Sequence, residues 1–130
     1  MPLYTLWRTG STGEIAFAVL HCTLGDLLIA GSSLLGALVL LGAPDWPRRR
    51  FAAVAAAAIV FGLAYTVYSE HLNLARGAWA YTEVMPRLPW LGTGLAPLAQ
   101  WLVVPAASLA WACRAWAGPA AARAARHTLT

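Results

Sequence analysis

Residues 15–44 read IAFAVLHCTLGDLLIAGSSLLGALVLLGAP and carry a single charge, Asp26. A helix that crosses a bilayer needs about 20 predominantly apolar residues, and this run exceeds that length. Pro44, Asp45, Trp46 and Pro47 close it, and Arg48, Arg49 and Arg50 follow. Two further stretches, 51–69 and 88–113, hold no charge at all. The pattern predicts an all-α, polytopic transmembrane helical bundle with three spans. These lie at about 15–42, 51–72 and 95–116 within a single domain over 1–130. A loop of about 73–94 and a basic tail over 117–130 complete the chain.

Composition agrees with that reading. Of 130 residues, 60% are hydrophobic and 11% charged, and the mean hydropathy is +0.62. An ordinary soluble domain carries roughly 25% charged residues. Disorder requires low hydrophobicity and high net charge. Both classes are excluded. The nine cationic residues are all Arg, and the net charge is +4. They cluster outside the apolar runs and offer no contiguous basic face, which argues against a nucleic-acid partner.

The Arg positions give an orientation. The loop between the first two spans holds three, and the tail holds Arg114, Arg123 and Arg126. The opposite side has Arg8, Arg76 and Arg87, offset by Glu14, Glu70 and Glu83. The excess predicts a multi-pass protein of a bacterial inner (cytoplasmic) membrane, with a cytoplasmic C-terminus and a periplasmic 73–94 loop. Trp79, Tyr81 and Trp90 fit an aromatic belt at the outer interface, Trp46 and Trp116 one at the inner interface. The first apolar stretch is longer than the h-region of a cleavable leader, roughly 7–15 residues. Cys22 and Cys113 fall near opposite faces, too far apart for an intramolecular disulfide.

An ionisable group inside a span costs roughly 2.5–3.5 kcal/mol on insertion scales, so Asp26 needs a compensating partner. It lies near the bilayer middle, with Cys22 at i−4, Thr23 at i−3 and Ser33 at i+7 on its face. His21 is about 140° round the same helix. On the second span Tyr65, Tyr68, Ser69 and Asn73 share a face. Glu70 and His71 stand at its outer end, and two readings remain open there. They are either polar residues where a span meets water, or a set in which Glu70 turns inward towards His21 and Asp26. On the third span, Gln100 is suited to hydrogen bonding between helices. Thr93 is a candidate cap and Leu95 the first residue of the helix proper. Pro105 is expected to kink that helix, and Gly118 with Pro119 to end it near Trp116. Gly31, Gly36, Gly62 and the alanines at 55–58 permit close helix packing.

The polar residues therefore gather in the outer half of the membrane. Asp26 and Glu70 are candidate catalytic groups. His21, His71, Asn73, Tyr68, Tyr81 and Gln100 are candidate ligand-binding groups. His21, Asp26 and Glu70 form a candidate set for a divalent metal, although their spacing matches no metal motif. Tyr68, Trp79, Tyr81 and Glu83 are placed to close over them. The inner half offers Ser32, Ser33 and Ser108. A channel would want polar groups through the whole thickness, whereas a pocket open to one side would not.

The stretches Tyr68–Asn73, Gly77–Pro86 and Gly92–Trp101, with His21–Asp26, together resemble a set of small bacterial inner-membrane proteins with no assigned activity. The likeness covers about three-quarters of the chain. It implies a membrane location and no reaction, and it transfers no catalytic residue. It also implies a further helix before Pro2-Leu3-Tyr4 in longer forms, making four spans. The expected function is that of a binding or accessory protein with a polar pocket in the outer half of the membrane. Membrane lipids are the expected partners, with a homo-oligomer or larger membrane complex as the setting. The alternatives are an intramembrane enzyme acting on an isoprenoid or lipid, with Asp26 and Glu70 as acid and base, and a metal or small-solute transport subunit.

Overall fold

Ser11 starts the first span. Its hydroxyl accepts from the Glu14 backbone N–H at 3.3 Å, and the Glu14 carboxylate accepts from the Ser11 N–H at 2.8 Å. This reciprocal capping box satisfies donors that the first helical turn leaves orphaned. In the computed structural model, which describes residues 3–127, five helices follow one another. They are α1 (Leu6–Thr9), α2 (Thr12–Leu41), α3 (Trp46–Arg49), α4 (Phe51–Ala75) and α5 (Leu95–His127). Among the described residues there is no strand, only two isolated antiparallel bridges, Tyr4 with Tyr81 and Arg87 with Gly94.

Three helices are long and apolar enough to cross a membrane: Thr12–Leu41, Phe51–Ala75 and the Leu95–Arg114 part of α5. The chain is an all-α, three-span membrane bundle. Its apolar side chains point outwards: Leu28, Val39 and Trp111 are each more than 70% exposed. In water such a surface would aggregate; in hydrocarbon it is solvated.

The central helix is α4, against which both α2 and α5 pack. Its buried residues are Val54, Ala58, Gly62, Thr66 and Glu70. They recur at every fourth position, a single ridge along the helix. At the end nearer Arg50, Val54 and Ala58 pack with Ala37 of α2, flanked by Leu34, Leu38 and Trp46. Midway, Gly62 lies under the Trp101 indole of α5, so close that any Cβ would overlap the ring. Gly36 takes the Phe61 ring at ordinary contact distance, whereas Gly31 faces open space. The expectation that Gly31 serves packing within the bundle is thus corrected.

Several boundaries differ from the sequence reading. The third helix does not end near Trp116. It continues through Gly118 and Pro119 to His127. Segment 120–125 is Ala apart from Arg123, and Ala has the highest intrinsic helix propensity. Thr93 does not cap this helix; its hydroxyl donates to the Leu91 carbonyl at 3.5 Å, and Gly94 directly precedes Leu95. The Leu95 N–H instead donates to the Pro86 carbonyl at 2.8 Å. The belt role of Trp116 and the contacts of Arg123 and Arg126 lie outside the described side chains, and residues 128–130 of the tail lie outside the described residues.

The connection between α4 and α5 has a definite structure. Gly77 (φ 67°) and Gly92 (φ 65°) take left-handed conformations that other residues rarely adopt. Between them Tyr81, Thr82 and Met85 are buried, and Thr93, just after Gly92, is fully so. The N-terminal segment lies along this loop. Thr5 N–H donates to Ala80 O at 3.0 Å, and Thr82 N–H and hydroxyl donate to Leu3 O at 2.9 and 3.1 Å. Two distant stretches therefore form a common roof over one end of the bundle, opposite the Arg48–Arg50 turn.

Candidate functional site

Beneath that roof is a cavity of about 490 Å³. α2 contributes His21, Cys22 and Asp26; α4 contributes Thr66, Glu70 and Asn73; α5 contributes Gln100 and Trp101; the roof contributes Tyr4 and Trp79. Ala18, Ile29 and Pro97 are among the apolar residues that complete it. Its position follows from local sequence. The α4 ridge puts Thr66 and Glu70 one turn apart on the buried side. The Cys22–Asp26 pair, four residues apart, faces them from α2.

Glu70 turns inward and is 6% exposed. Of the two readings left open by the sequence, this arrangement is the inward one. The Tyr81 phenol donates to Glu70 Oε2. The Tyr81 oxygen in turn accepts the Gly94 N–H at 3.1 Å, so its own proton is directed to the carboxyl. Tyr4 lies beside the same carboxyl, and its ring packs on Tyr81 at 5.4 Å. The Arg87 guanidinium sits over the Tyr81 ring, 5.2 Å from its centroid. Burial first, and then the hydrogen bond to Glu70, push the Tyr81 phenol up to about 12. Burial and the neighbouring Glu70 also raise the Tyr4 phenol above the ordinary tyrosine range.

Asp26 is engaged from across the bundle. Gln100 Nε2 donates to its Oδ2 at 3.2 Å, and Trp101 lies beside the same carboxyl. This is the interhelical amide contact that the sequence suggests for Gln100. Asn73 lines the cavity while its amide donates back to Ser69 O at 2.8 Å. His21 also lines it, stacked on Phe17 with centroids 5.7 Å apart.

Other sequence candidates are elsewhere. Tyr68 is 62% exposed, its ring 6.3 Å from that of Tyr65. His71 is exposed, its Nδ1 against Val67 O at 2.8 Å within the same helix. Thr23 donates to Val19 O at 2.7 Å and does not line the cavity. Glu83 is exposed. Trp79 and Tyr81 leave the expected outer belt and turn into the roof, whereas Trp90 remains almost wholly exposed. The metal set His21, Asp26 and Glu70 is corrected: among the described residues no three His, Cys, Asp or Glu side chains come together to hold a metal ion. The two carboxyls and the imidazole line the same cavity without forming such a set.

Sequence reasoning named none of Tyr4, Trp7, Thr66 and Trp101 as a site residue, and all four line the cavity. Tyr4 is 66 positions from Glu70 (70 − 4) and no local pattern links them. Thr66 is legible in retrospect from its i−4 relation to Glu70. Trp101 follows from its place beside Gln100 and from the absence of a side chain at Gly62. Two polar atoms at the cavity have no hydrogen-bond partner: the Thr66 hydroxyl, on a residue 6% exposed, and the buried Trp79 Nε1. Comparison with protein-family models, curated proteins and solved structures finds no match.

Proposed function

We propose that this chain is a small integral membrane binding protein that holds an amphiphilic molecule in the cavity under its N-terminal roof. The observation that carries the reading is the pair of unpartnered donors, Thr66 Oγ1 and Trp79 Nε1, at a largely apolar cavity between spans. Buried polar groups in native proteins are nearly always hydrogen-bonded, and a ligand head supplies the missing partners. Apolar walls with a few placed polar groups are the usual make-up of a ligand site. Binding is favoured over acid–base chemistry because each carboxyl is already engaged by a neutral donor, Tyr81 at Glu70 and Gln100 at Asp26. The Arg distribution supports an orientation with the cavity on the periplasmic side of a bacterial inner membrane and the C-terminus in the cytoplasm.

The test fills the cavity. Ala18 lines it on α2, and Ala18→Trp places an indole in that space. A fluorescent amphiphile should bind the wild-type protein in uncharged detergent and lose affinity for Ala18→Trp, with helix content unchanged. Equal binding by both proteins would remove the cavity as the site.

A further inference from the structure

The geometry points to an organic ammonium as the head group this cavity takes, with Glu70 as its counter-ion and Asp26 as a second acidic contact. This rests on the binding reading above and adds the chemical class of the ligand.

The charge of the walls is of one sign. Asp26 and Glu70 both line the cavity, and no Arg does; the chain has no Lys. Among the described residues the ion pair present is Arg49 with Asp45, on the far side of the bundle. Arg87, whose guanidinium lies over the Tyr81 ring, is not part of the lining, and neither is Arg8 beside Trp7. Glu70 and Asp26 therefore meet phenol and amide donors but no cation. A carboxylate removed from water without a compensating charge is costly, and a cationic ligand removes that cost.

The aromatic lining points the same way. Tyr4, Trp7, Trp79 and Trp101 all face the space. The negative faces of such rings attract ammonium groups, and aromatic surroundings with acidic residues are the usual means of recognising them. An independent observation comes from the unpartnered polar atoms. Thr66, 94% buried, has no partner for its hydroxyl, and Trp79 Nε1 has none for its proton. An indole N–H can only donate, so the ligand that meets it carries an acceptor as well as its ammonium. Amino-alcohol and phosphoethanolamine heads both have that chemistry, the first in a free long-chain amine, the second in a membrane lipid.

The experiment is calorimetric titration of the full chain in uncharged detergent with dodecylamine, dodecanol and lysophosphatidylethanolamine. Wild type is compared with Glu70→Gln and with Asp26→Asn, the second variant serving if the first does not fold. Dodecylamine should bind wild type roughly tenfold or more tightly than dodecanol, the scale of a charge-assisted hydrogen bond. That preference, read as the ratio of amine to alcohol affinity within each protein, should fall in either carboxyl variant. Tighter binding of the lysolipid than of dodecylamine would assign the ammonium to a lipid head, and the reverse to a free amine; both support the inference. Equal binding of amine and alcohol by wild type would overturn it while leaving a binding cavity in place, as would a preference that survives both substitutions. Failure of every probe to bind wild type would overturn the binding reading as well.

Discussion

Gln100 on α5 donates to Asp26 on α2 at 3.2 Å, a side-chain bond that spans 74 positions. Both helices pack mainly on α4, so this bond ties together two elements that otherwise meet little. Interhelical polar contacts in membranes contribute about 0.6–2 kcal/mol. A double-mutant cycle with Asp26→Leu and Gln100→Leu, read by unfolding in mixed micelles, should return a coupling of that size. Asp26→Asn should retain much of it, because an amide oxygen still accepts. A coupling of zero would show that the two side chains act independently.

Gly62 and Gly31 should respond in opposite ways. Any side chain at Gly62 meets the Trp101 ring, whereas the space at Gly31 is open. Overpacking typically costs about 1–3 kcal/mol. Gly62→Val should therefore lower stability on that scale and Gly31→Val should do little, measured by thermal unfolding in one detergent. A monomer equally damaged by both would contradict the α4–α5 packing.

Tyr81 should ionise late. Its phenol is raised from 10.0 to about 12 by burial and by its bond to Glu70. The folded state thus favours the protonated phenol. Its contribution to stability is fully present below pH 10 and is lost between pH 10 and about 12. Phenolate absorbance during an alkaline titration should show a late component that shrinks by one phenol in Tyr81→Phe, the remainder belonging to Tyr4. A variant with an unchanged titration curve would place the late component elsewhere.

The same tyrosine should hold the roof in place. Its oxygen accepts from Gly94 and its proton goes to Glu70, so Tyr81→Phe releases both ends. Hydrogen exchange over residues 78–94 should quicken in this variant relative to α2 and α4. Unchanged protection would assign roof stability to the Leu3–Thr82 backbone pairing alone.

Three spans require that the 43–50 turn and the 78–94 connection lie on opposite sides of the membrane. With Cys22 and Cys113 replaced by Ser, an impermeant thiol reagent applied to sealed vesicles should label Ala43→Cys or Val84→Cys, but not both. Labelling of both would exclude an odd number of crossings between them.

The spans are legible because hydrocarbon imposes a one-dimensional rule: charge must be sparse for about 20 residues. Three uncharged or nearly uncharged runs satisfy it, so helix number and approximate bounds follow without tertiary information. The end of α5 was not legible, because Gly118 and Pro119 read as a stop while the alanines beyond them favour continuation. His21, Asp26, Glu70, Asn73 and Gln100 could be singled out as costly or unusual in a span, and all five line one cavity. Tyr68 and His71 met the same criterion and face away. Residue type cannot separate the two groups, since helix rotation is set by packing.

The sequence by itself determined that this chain folds as three apolar helices, since the length and charge of each run are local properties. It also marked the end of the bundle that carries polar groups. Only the tertiary structure decided which of those groups meet. Glu70 is buried because Gly62 admits Trp101 one ridge position below Thr66, fixing the rotation of α4 against α5. Tyr4 and Tyr81 reach the Glu70 carboxyl because backbone pairing of Leu3–Thr5 with Ala80–Thr82 folds two distant segments over it. Such contacts depend on steric fit and pairing between residues far apart in the chain, which no periodicity or composition encodes.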